Sequence, residues 1–376
     1  MEQNKNIGQR TALISGASFA GLTTAFWMNK MGYKVTIVEV GNELKKGGTP
    51  VDIKESTVDI VKRMGLFEQI KANRLSLEKW EFKNASDETV KTMLLRQPGE
   101  PQTDDEFEIE RDVLLNMLFD TIKNDVKFVF GNSISAITEK EDCLEIAFKD
   151  GLKSNSDLLF GCDGIHSVVR KLWFGEESKY AHFLGQYFSI AIVDRLLIEQ
   201  HCLQLYAEPN KSFMLNAYNG KTDIVFIFRP EAEIPYDFRN QKQIKQIVLD
   251  QMQSMNWRAS ELKEDLLNSK SFYFDKFCQI KMPSWTKGRV ALVGDAGYCA
   301  SPAAGMGGSL AIIGATALAD AFEKNNGNYK SAFADYNKDL GPFIEEVQIG
   351  AVAMLDSFLP RNEEEIEAIH KNGFDF

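Results

Sequence analysis

Three separated stretches of the sequence set small residues beside a carboxylate, the combination that a phosphorylated, hydroxylated ligand needs. Gly16-Ala-Ser-Phe-Ala-Gly21 follows an apolar run and precedes a helical one. Gly16 makes the turn, Ala20 and Gly21 let a helix pack close to a strand, and the helix N-terminus offers free N–H groups to a pyrophosphate. Ser18 stands where this fingerprint commonly has its middle glycine, and its hydroxyl can face a phosphate. Glu39 lies close to the ~20-residue spacing at which an acidic side chain accepts from a ribose 2′-hydroxyl. The second stretch, Asp163-Gly164-Ile-His-Ser167-Val-Val-Arg170, is a strand end whose polar groups open a helix. The third runs from Arg289–Val293 into Gly294-Asp295, then through Pro302 to Gly305-Met306-Gly307-Gly308-Ser309. Asp295 can grip a ligand hydroxyl, Pro302 stiffens the loop, and the glycines allow close backbone approach. A carboxylate beside such a loop suits the ribityl chain and polar ring edge of a flavin; a tight turn without a ligand is the plain alternative. Gly16-x-Ser18-x-Ala20 can also be read as a hydrolase nucleophile elbow. Only ten residues precede Thr11, too few for the strands such an elbow needs.

These residues require particular elements to position them. Thr11–Ser15 and Lys34–Glu39 are apolar, β-branched strands, and a helix from the glycine loop to about Met31 joins them as a βαβ unit. Lys45–Lys54 is a glycine-rich loop holding Gly48 and leading to an extended piece with Asp52, followed by a helix from about Glu55 to Met64. Lys79–Leu95 alternates as a hairpin. A helix over Asp112–Lys123 opens at Glu110-Arg111, where an arginine opposes the helix dipole and so favours a ligand role over a plain salt bridge. Lys127–Phe130, Ser133–Glu139 and Leu144–Phe148 read as a meander, and a buried strand then ends in Asp163. Arg170, in the first turn that follows, reads as a surface residue if no ligand is present. A helix from Ser309 to about Glu323 closes the third motif.

From Tyr180 to Phe274 the texture changes to aromatic-rich strands, Tyr187–Val193, Leu203–Tyr206, Ser212–Asn219 and Asp223–Phe228, suited to one antiparallel sheet. This block has no phosphate-binding glycines and is the natural cover of a substrate pocket. Tyr206, Phe213, Tyr218, Phe226 and Arg229 are its candidate wall residues, with sheet-core packing as the competing role. Lys242–Met255 is an amphipathic helix, Ser271–Phe274 returns the chain to the first domain, and the tail is helical to about Phe358 and again over Glu363–Lys371. The expected domains are 1–78, 98–179 and 272–328 for cofactor binding, 79–97 and 180–271 for substrate, and 329–376 as a C-terminal helical segment.

The net charge of −11 over 376 residues argues against a nucleic-acid partner, which needs a basic face. The polar start shows no signal peptide, and the longest apolar run, Leu310–Ala319, is too short to span a bilayer. A cytoplasmic protein with no membrane partner, acting as a monomer, is expected. Five cysteines without a C-x-x-C pair point to reduced thiols, and four histidines without ligand spacing argue against a metal site, His201-Cys202 included.

Taken together, the motifs resemble those of the FAD-dependent single-component aromatic hydroxylases, the class A flavoprotein monooxygenases, over nearly the whole chain in order and spacing. Within that family the chain is most similar to the tetracycline-inactivating monooxygenases, on Gly47-Gly48 with Val51-Asp52-Ile53-Lys54, on Glu110-Arg111, and on Gln279–Arg289 running into Gly294-Asp295. The resemblance implies an α/β fold: a Rossmann-like FAD-binding domain, a β-sheet substrate domain like that of para-hydroxybenzoate hydroxylase, and a C-terminal helical segment. It implies FAD as cofactor and NADPH as a transient co-substrate, since no second dinucleotide fingerprint exists. NADPH reduces the flavin, O₂ adds at flavin C4a, and the hydroperoxide passes one oxygen to an aromatic or polyketide-like small molecule, so no catalytic side chain is required. On this model Glu39 holds the adenosine ribose and Ser18, Gly21 and Asp163 lie at the pyrophosphate. Gly48, Asp52 and Arg111 support the flavin, Asp295 takes ribityl hydroxyls, and Pro302, Gly305, Met306 and Gly307 line the ring. Departures stand at Ser18, Val40, Ser309 and Gly314, the last where an aspartate is usual. A halogenase of the same fold would carry a Trp-x-Trp-x-Ile-Pro stretch, which none of the five tryptophans provides. A flavin dehydrogenase or reductase and a non-enzymatic flavin-binding module are the competing readings.

Overall fold

The computed structural model describes residues 9–96 and 103–373. The polar opening Met1–Asn6 and the domain boundary at 97–98 lie outside them. In chain order the elements begin with β1 (Thr11–Ser15), α1 (Phe19–Lys30), β2 (Lys34–Glu39), β3 (Val51–Lys54), α2 (Ser56–Arg63) and α3 (Phe67–Ala72). Next come β4 (Lys79–Lys83), β5 (Thr89–Leu94), β6 (Glu106–Ile109), α4 (Arg111–Asp120), β7 (Lys127–Phe130), β8 (Ile134–Glu139), β9 (Leu144–Phe148) and β10 (Lys153–Ser156). They continue with β11 (Leu158–Gly161), α5 (Val168–Trp173), β12 (Ala181–Val193), β13 (Cys202–Glu208), β14 (Lys211–Tyr218), β15 (Lys221–Phe228), α6 (Gln241–Met252) and α7 (Ala259–Asn268). The last are β16 (Ser271–Ile280), β17 (Thr286–Lys287), β18 (Val290–Leu292), α8 (Asp295–Tyr298), α9 (Gly307–Lys324), α10 (Tyr329–Leu355) and α11 (Glu363–Asn372).

A six-stranded sheet in the order β17-β18-β11-β1-β2-β7 forms the first layer, parallel except for β17. Its register decides where the chemistry sits. Ser15 at the end of β1 pairs with Val38 of β2 and with Gly161 of β11, and Gly161 pairs with Leu292 of β18. The turns after all four strands therefore leave the sheet at one edge, the carboxyl end at which open α/β sheets bind ligands. The α1 and α9 helices pack on this sheet, tied by a 2.9 Å hydrogen bond from Trp27 Nε1 to Thr316 Oγ1. The core beneath them is apolar and fully buried at Ile14, Leu22, Ala25, Ile37 and Leu318.

The second layer is a seven-stranded sheet, β16-β12-β15-β14-β13-β4-β5, antiparallel apart from β13 beside β4. One face is sealed by α6 and α7, which bury Ile244, Val248, Leu262 and Leu266 against it. The other face looks toward the first layer and the C-terminal helices, with Phe188, Val225, Ile227, Leu355 and Leu359 in a small cluster.

Two strand expectations change. Lys127–Phe130 does not join a meander: as β7 it extends the parallel sheet beside β2, and the small antiparallel sheet is β10-β9-β8. Ser271–Phe274 does not return the chain to the first domain; it begins the ten-residue β16, which pairs with β12 as far as Ile280. No helix of the described residues is long and apolar enough to cross a membrane.

Candidate active site

The turn after β1 is forced by close approach. Gly16 has φ +102°, and a Cβ there would stand 2.4 Å from the Cys162 carbonyl oxygen; one on Gly21 would stand 1.9 Å from the Gly16 carbonyl oxygen. Glu39 lies beside this turn, its two oxygens accepting from the N–H groups of Ala17 and Gly41, each at 2.8 Å. Ser18 makes no cap to α1. Its hydroxyl instead accepts from Arg111 Nη2 at 3.1 Å, while Arg111 Nη1 donates to the carbonyls of Gly47 (2.9 Å) and Lys45 (3.2 Å). The guanidinium also lies 5.0 Å over the Phe19 ring. Arg111 thus bridges the first glycine turn and the 45–48 loop, which explains an arginine at a helix start. Gly47 and Gly48 have φ +92° and +103°, and a Cβ on Gly48 would stand 2.8 Å from Arg111 Cδ.

Asp163 is spent on the protein itself. Its Oδ2 accepts from Val168 N (2.9 Å), Val169 N (3.1 Å) and Ser15 Oγ (3.3 Å), and its Oδ1 from Ser167 Oγ. Asp163, expected near the pyrophosphate, takes four donors from the protein itself, and these make it the brace that joins α5 to the end of β1. Arg170 is no surface residue either. It is fully buried, donating to the Ala296 carbonyl oxygen (2.9 Å) and to Glu177 (2.9 Å), and so it holds the chain just after Asp295. Burial pushes the Asp295 carboxyl above its ordinary range, with Arg111 and Arg170 drawing it back. Beyond it Pro302 opens a short 3-10 turn, Gly305 has φ +64°, and Met306 precedes α9. A Cβ on Gly305 or Gly307 would meet nothing within 4 Å, whereas one on Gly308 would stand 2.6 Å from Val51 Cγ1. One side of this loop is open and the other is packed on β3. Ser309 Oγ donates to the Asp52 carbonyl oxygen and fixes that packing. At Gly314 a Cβ would stand 1.7 Å from the Tyr298 hydroxyl, which lies 2.9 Å from the Tyr336 hydroxyl. The tyrosine pair occupies the space beside Gly314.

The second sheet divides the wall candidates. Tyr206, Phe213 and Phe226 belong to the core under α6 and α7, with Phe213 and Phe226 rings 4.7 Å apart and Tyr206 5.4 Å from Trp257. They face away from the glycine loops, and the reading of these three as pocket wall is corrected. The reason is the two-residue period of a strand: neighbours in sequence look to opposite faces. Arg229 is also removed from the pocket, bonded to Asn210 (2.6 Å) and paired with Asp356 (2.8 Å) beyond α10. Tyr218 is on the inward face. It lines a cavity of about 420 Å³ with Gly47, Gly48, Glu110, Lys221 and Ser271. The residues that sequence reasoning missed share that parity: Ile190, Ile192, Met214, Asn216, Asp223, Val225, Tyr273 and Asp275.

Several of these inward groups are titratable. Asp223 is fully buried; Tyr218 donates to its Oδ1 at 2.8 Å, and its Oδ2 has no hydrogen-bond partner. Burial, with Glu108 and Glu110 nearby, pushes its carboxyl up to about 8. Burial and Asp52 push Glu108 up to about 7. Asp275 accepts from Tyr236 (2.5 Å) and Tyr273 (2.9 Å) and lies 3.2 Å from His166 Nε2. His166 stacks on Phe238, ring centroids 4.0 Å apart, with Glu177 3.2 Å from its Nδ1. Burial opposes a charge on His166, but Asp275 and Glu177 outweigh it and raise its pKa to about 9.

Residues 9–339 match the family model described as FAD binding domain. The chain belongs to that family. A flavin-dependent monooxygenase of Legionella longbeachae serogroup 1 (strain NSW150) is 34% identical over 357 residues, 93% of this chain and 90% of the relative. A second flavin-dependent monooxygenase, from an unknown prokaryotic organism, is 33% identical over 352 residues, 92% of this chain and 90% of the relative. Among solved structures, tetracycline destructase Tet(51) superposes with a TM-score of 0.86 at 32% identity, covering 97% of this chain and 95% of that one.

For a member of the FAD binding domain family the residues present are consistent with the cofactor. The open side of Gly305–Gly307, the cation of Arg111 between two glycine turns and the crowded Gly16 and Gly21 leave a slot at the sheet's carboxyl edge. Arg170 and Asp163, buried or spent on the protein, hold the strand ends that frame it.

Proposed function

We propose that the chain is an FAD-dependent monooxygenase that uses NADPH and O₂ to add one oxygen atom to an aromatic or polyketide-like small molecule, with tetracyclines as the leading candidates. The observation that carries this reading is the pairing of the slot with the inward sheet face. Gly47 and Gly48, on the loop that Arg111 holds, share a cavity of about 420 Å³ with Ile192, Tyr218 and Lys221 of that sheet face, and Gly305 and Gly307 border open space. The likeness to flavin-dependent monooxygenases over nine-tenths of the chain supports the reaction type.

In this reading Glu39 holds the adenosine ribose, and Ser18 with Arg111 meets the pyrophosphate at the head of α1, where the helix dipole adds to the cation. Asp295 accepts from the ribityl hydroxyls, and Pro302, Gly305, Met306 and Gly307 support the ring. Gly48 and Asp52 sit across it on the 45–54 segment. Bound FAD supplies the electron and oxygen chemistry. The chain's own residues orient substrate and exclude water: Ile190, Ile192, Met214 and Val225 form the dry part of the wall, and Tyr218, Asn216 and Tyr273 fix the substrate's polar edge. The proposal is tested by following NADPH consumption with FAD-loaded protein across phenols, aromatic polyketides and tetracyclines. At least one of these is expected to accelerate it and to leave with one more oxygen; a product that has only lost hydrogen would favour a dehydrogenase instead.

A further inference from the structure

The cavity that Tyr218 shares with the glycine loop lies at a corner of the second sheet where three strands meet. Ile192, near the end of β12, pairs with Ser271 at the start of β16, and Val193 pairs with Thr222 near the start of β15. The 45–48 loop packs on this corner, so closely that a Cβ on Gly47 would stand 2.2 Å from Ser271 Oγ. Lys46, Lys221 and Lys270 come from three segments that converge here, and all three line the one cavity.

Most of the charge in that lining is already matched. Lys221 is paired with Glu110. Asp112 accepts from the Gly47 N–H at 2.8 Å and has Arg111 3.9 Å away. Arg195 donates to both oxygens of Asp265, at 2.8 and 2.7 Å. What remains is lopsided. Among the described residues neither Lys46 nor Lys270 makes a side-chain hydrogen bond or ion pair, and the side chains of Asn268 and Ser271 make no hydrogen bond. The one lining carboxylate left over is that of Asp194. Two cations and two neutral donors therefore stand against a single acid.

An exposed lysine without a partner is ordinary on open protein surface, where water solvates it. These two differ in what they border. The space is about 420 Å³, within the range of small-molecule pockets, and its wall includes the Gly47–Gly48 turn that Arg111 holds. Flexible four-carbon stems let both ammoniums reach one group held between them. A neutral ligand leaves that charge unused. A carboxylate or an ionised enol uses it, and its oxygens can also accept from Asn268 and Ser271.

We propose that Lys46 and Lys270 form a subsite for an anionic group, a carboxylate or an enolate, carried by the substrate. This rests on the substrate class proposed above and narrows it to aromatic or polyketide-like molecules with an acidic substituent.

The test is equilibrium dialysis of the FAD-loaded protein near neutral pH against two probes of one shape, a dihydroxyanthraquinone carboxylic acid and its carboxamide. The unaltered protein is expected to hold the acid roughly five- to twentyfold more tightly in low salt, the worth of two partly exposed charge contacts, and to lose most of that preference near ~1 M salt. Lys46→Gln and Lys270→Gln are each expected to remove part of it and the double variant nearly all, with carboxamide affinity unchanged. Both positions are exposed, so the fold tolerates the changes. Asp194→Asn, which removes the unmatched acid, is expected to strengthen binding of the acid by about twofold. Equal affinity for the two probes in the unaltered protein, or a preference that the double variant keeps, overturns the subsite and leaves the proposed function standing. If the double variant keeps the preference and instead binds NADPH more weakly, the lysines serve the co-substrate's phosphates and the subsite falls. Binding of neither probe overturns the subsite together with the substrate class on which it rests.

Discussion

A buried carboxyl with one unpartnered oxygen should destabilise the fold as it ionises. Asp223 tests this most sharply, because it is fully buried and its carboxyl is pushed up to about 8 from an ordinary value of 3.8. Between those two values the folded chain retains a proton that the unfolded chain has released. The sign is therefore that stability falls as pH rises, by up to about 1.4 kcal/mol per pH unit across that window. From pH 5 to pH 8 the full slope amounts to about 4 kcal/mol, and sharing of the proton with Glu108 makes an effect on the order of 2–4 kcal/mol the expectation. Asp223→Asn cannot ionise and keeps the Tyr218 contact. The variant should match the parent only near pH 3.8 and below, draw ahead of it by pH 5, and at pH 8 melt several degrees higher, at ~1–2 °C per kcal/mol for a chain of this size. Thermal unfolding of both FAD-loaded proteins at half-unit pH steps reads the difference. Parallel curves for the two proteins, or a variant less stable at pH 8, would refute the argument that Asp223 is held at a cost.

Three further outcomes are expected. Arg111→Lys keeps a cation but loses the fork that spans Ser18, Lys45 and Gly47, so FAD affinity should fall roughly ten- to a hundredfold, read by flavin fluorescence on dilution. Gly314→Asp should destabilise by more than about 3 kcal/mol, because its Cβ would stand 1.7 Å from the Tyr298 hydroxyl; denaturant unfolding measures it. The pKa of His166 is raised to about 9 by Asp275 and Glu177, so the stability it adds is complete below pH 6.5 and is lost as pH climbs through 9. His166→Gln should therefore lower the melting temperature at pH 6.5 and converge on the parent near pH 10.

The first layer could be read from the sequence because its signals are local. Gly16 and Gly21 are set by contacts under 2.5 Å, and the alternation of β2 gives its faces directly. The second layer hid its inward face. In β15 every residue after Lys221 is buried, so Thr222–Phe228 carry no polar–apolar rhythm to say which side looks inward. Aromatic size then drew attention to the paired Phe213 and Phe226, which the helices cover, and away from Asn216 and Asp223, paired with each other further along the same ladder. Asp163 and Arg170 stood in the right motif, but only tertiary contacts reveal that Ser15, Ala296 and Glu177 take up their polar groups. Those partners lie on other strands and turns. The Lys127–Phe130 strand is four residues long, and nothing local distinguishes a parallel edge from a meander.

FAD-dependent transfer of one atom of O₂ to an aromatic or polyketide-like molecule is the reaction proposed for this chain. The direct measurement incubates FAD-loaded protein with NADPH, tetracycline and isotopically labelled O₂ and follows product mass by chromatography. A monooxygenase leaves a product heavier by one oxygen atom that carries the label. A product without the label, or NADPH oxidation that ignores every aromatic compound offered, would contradict it.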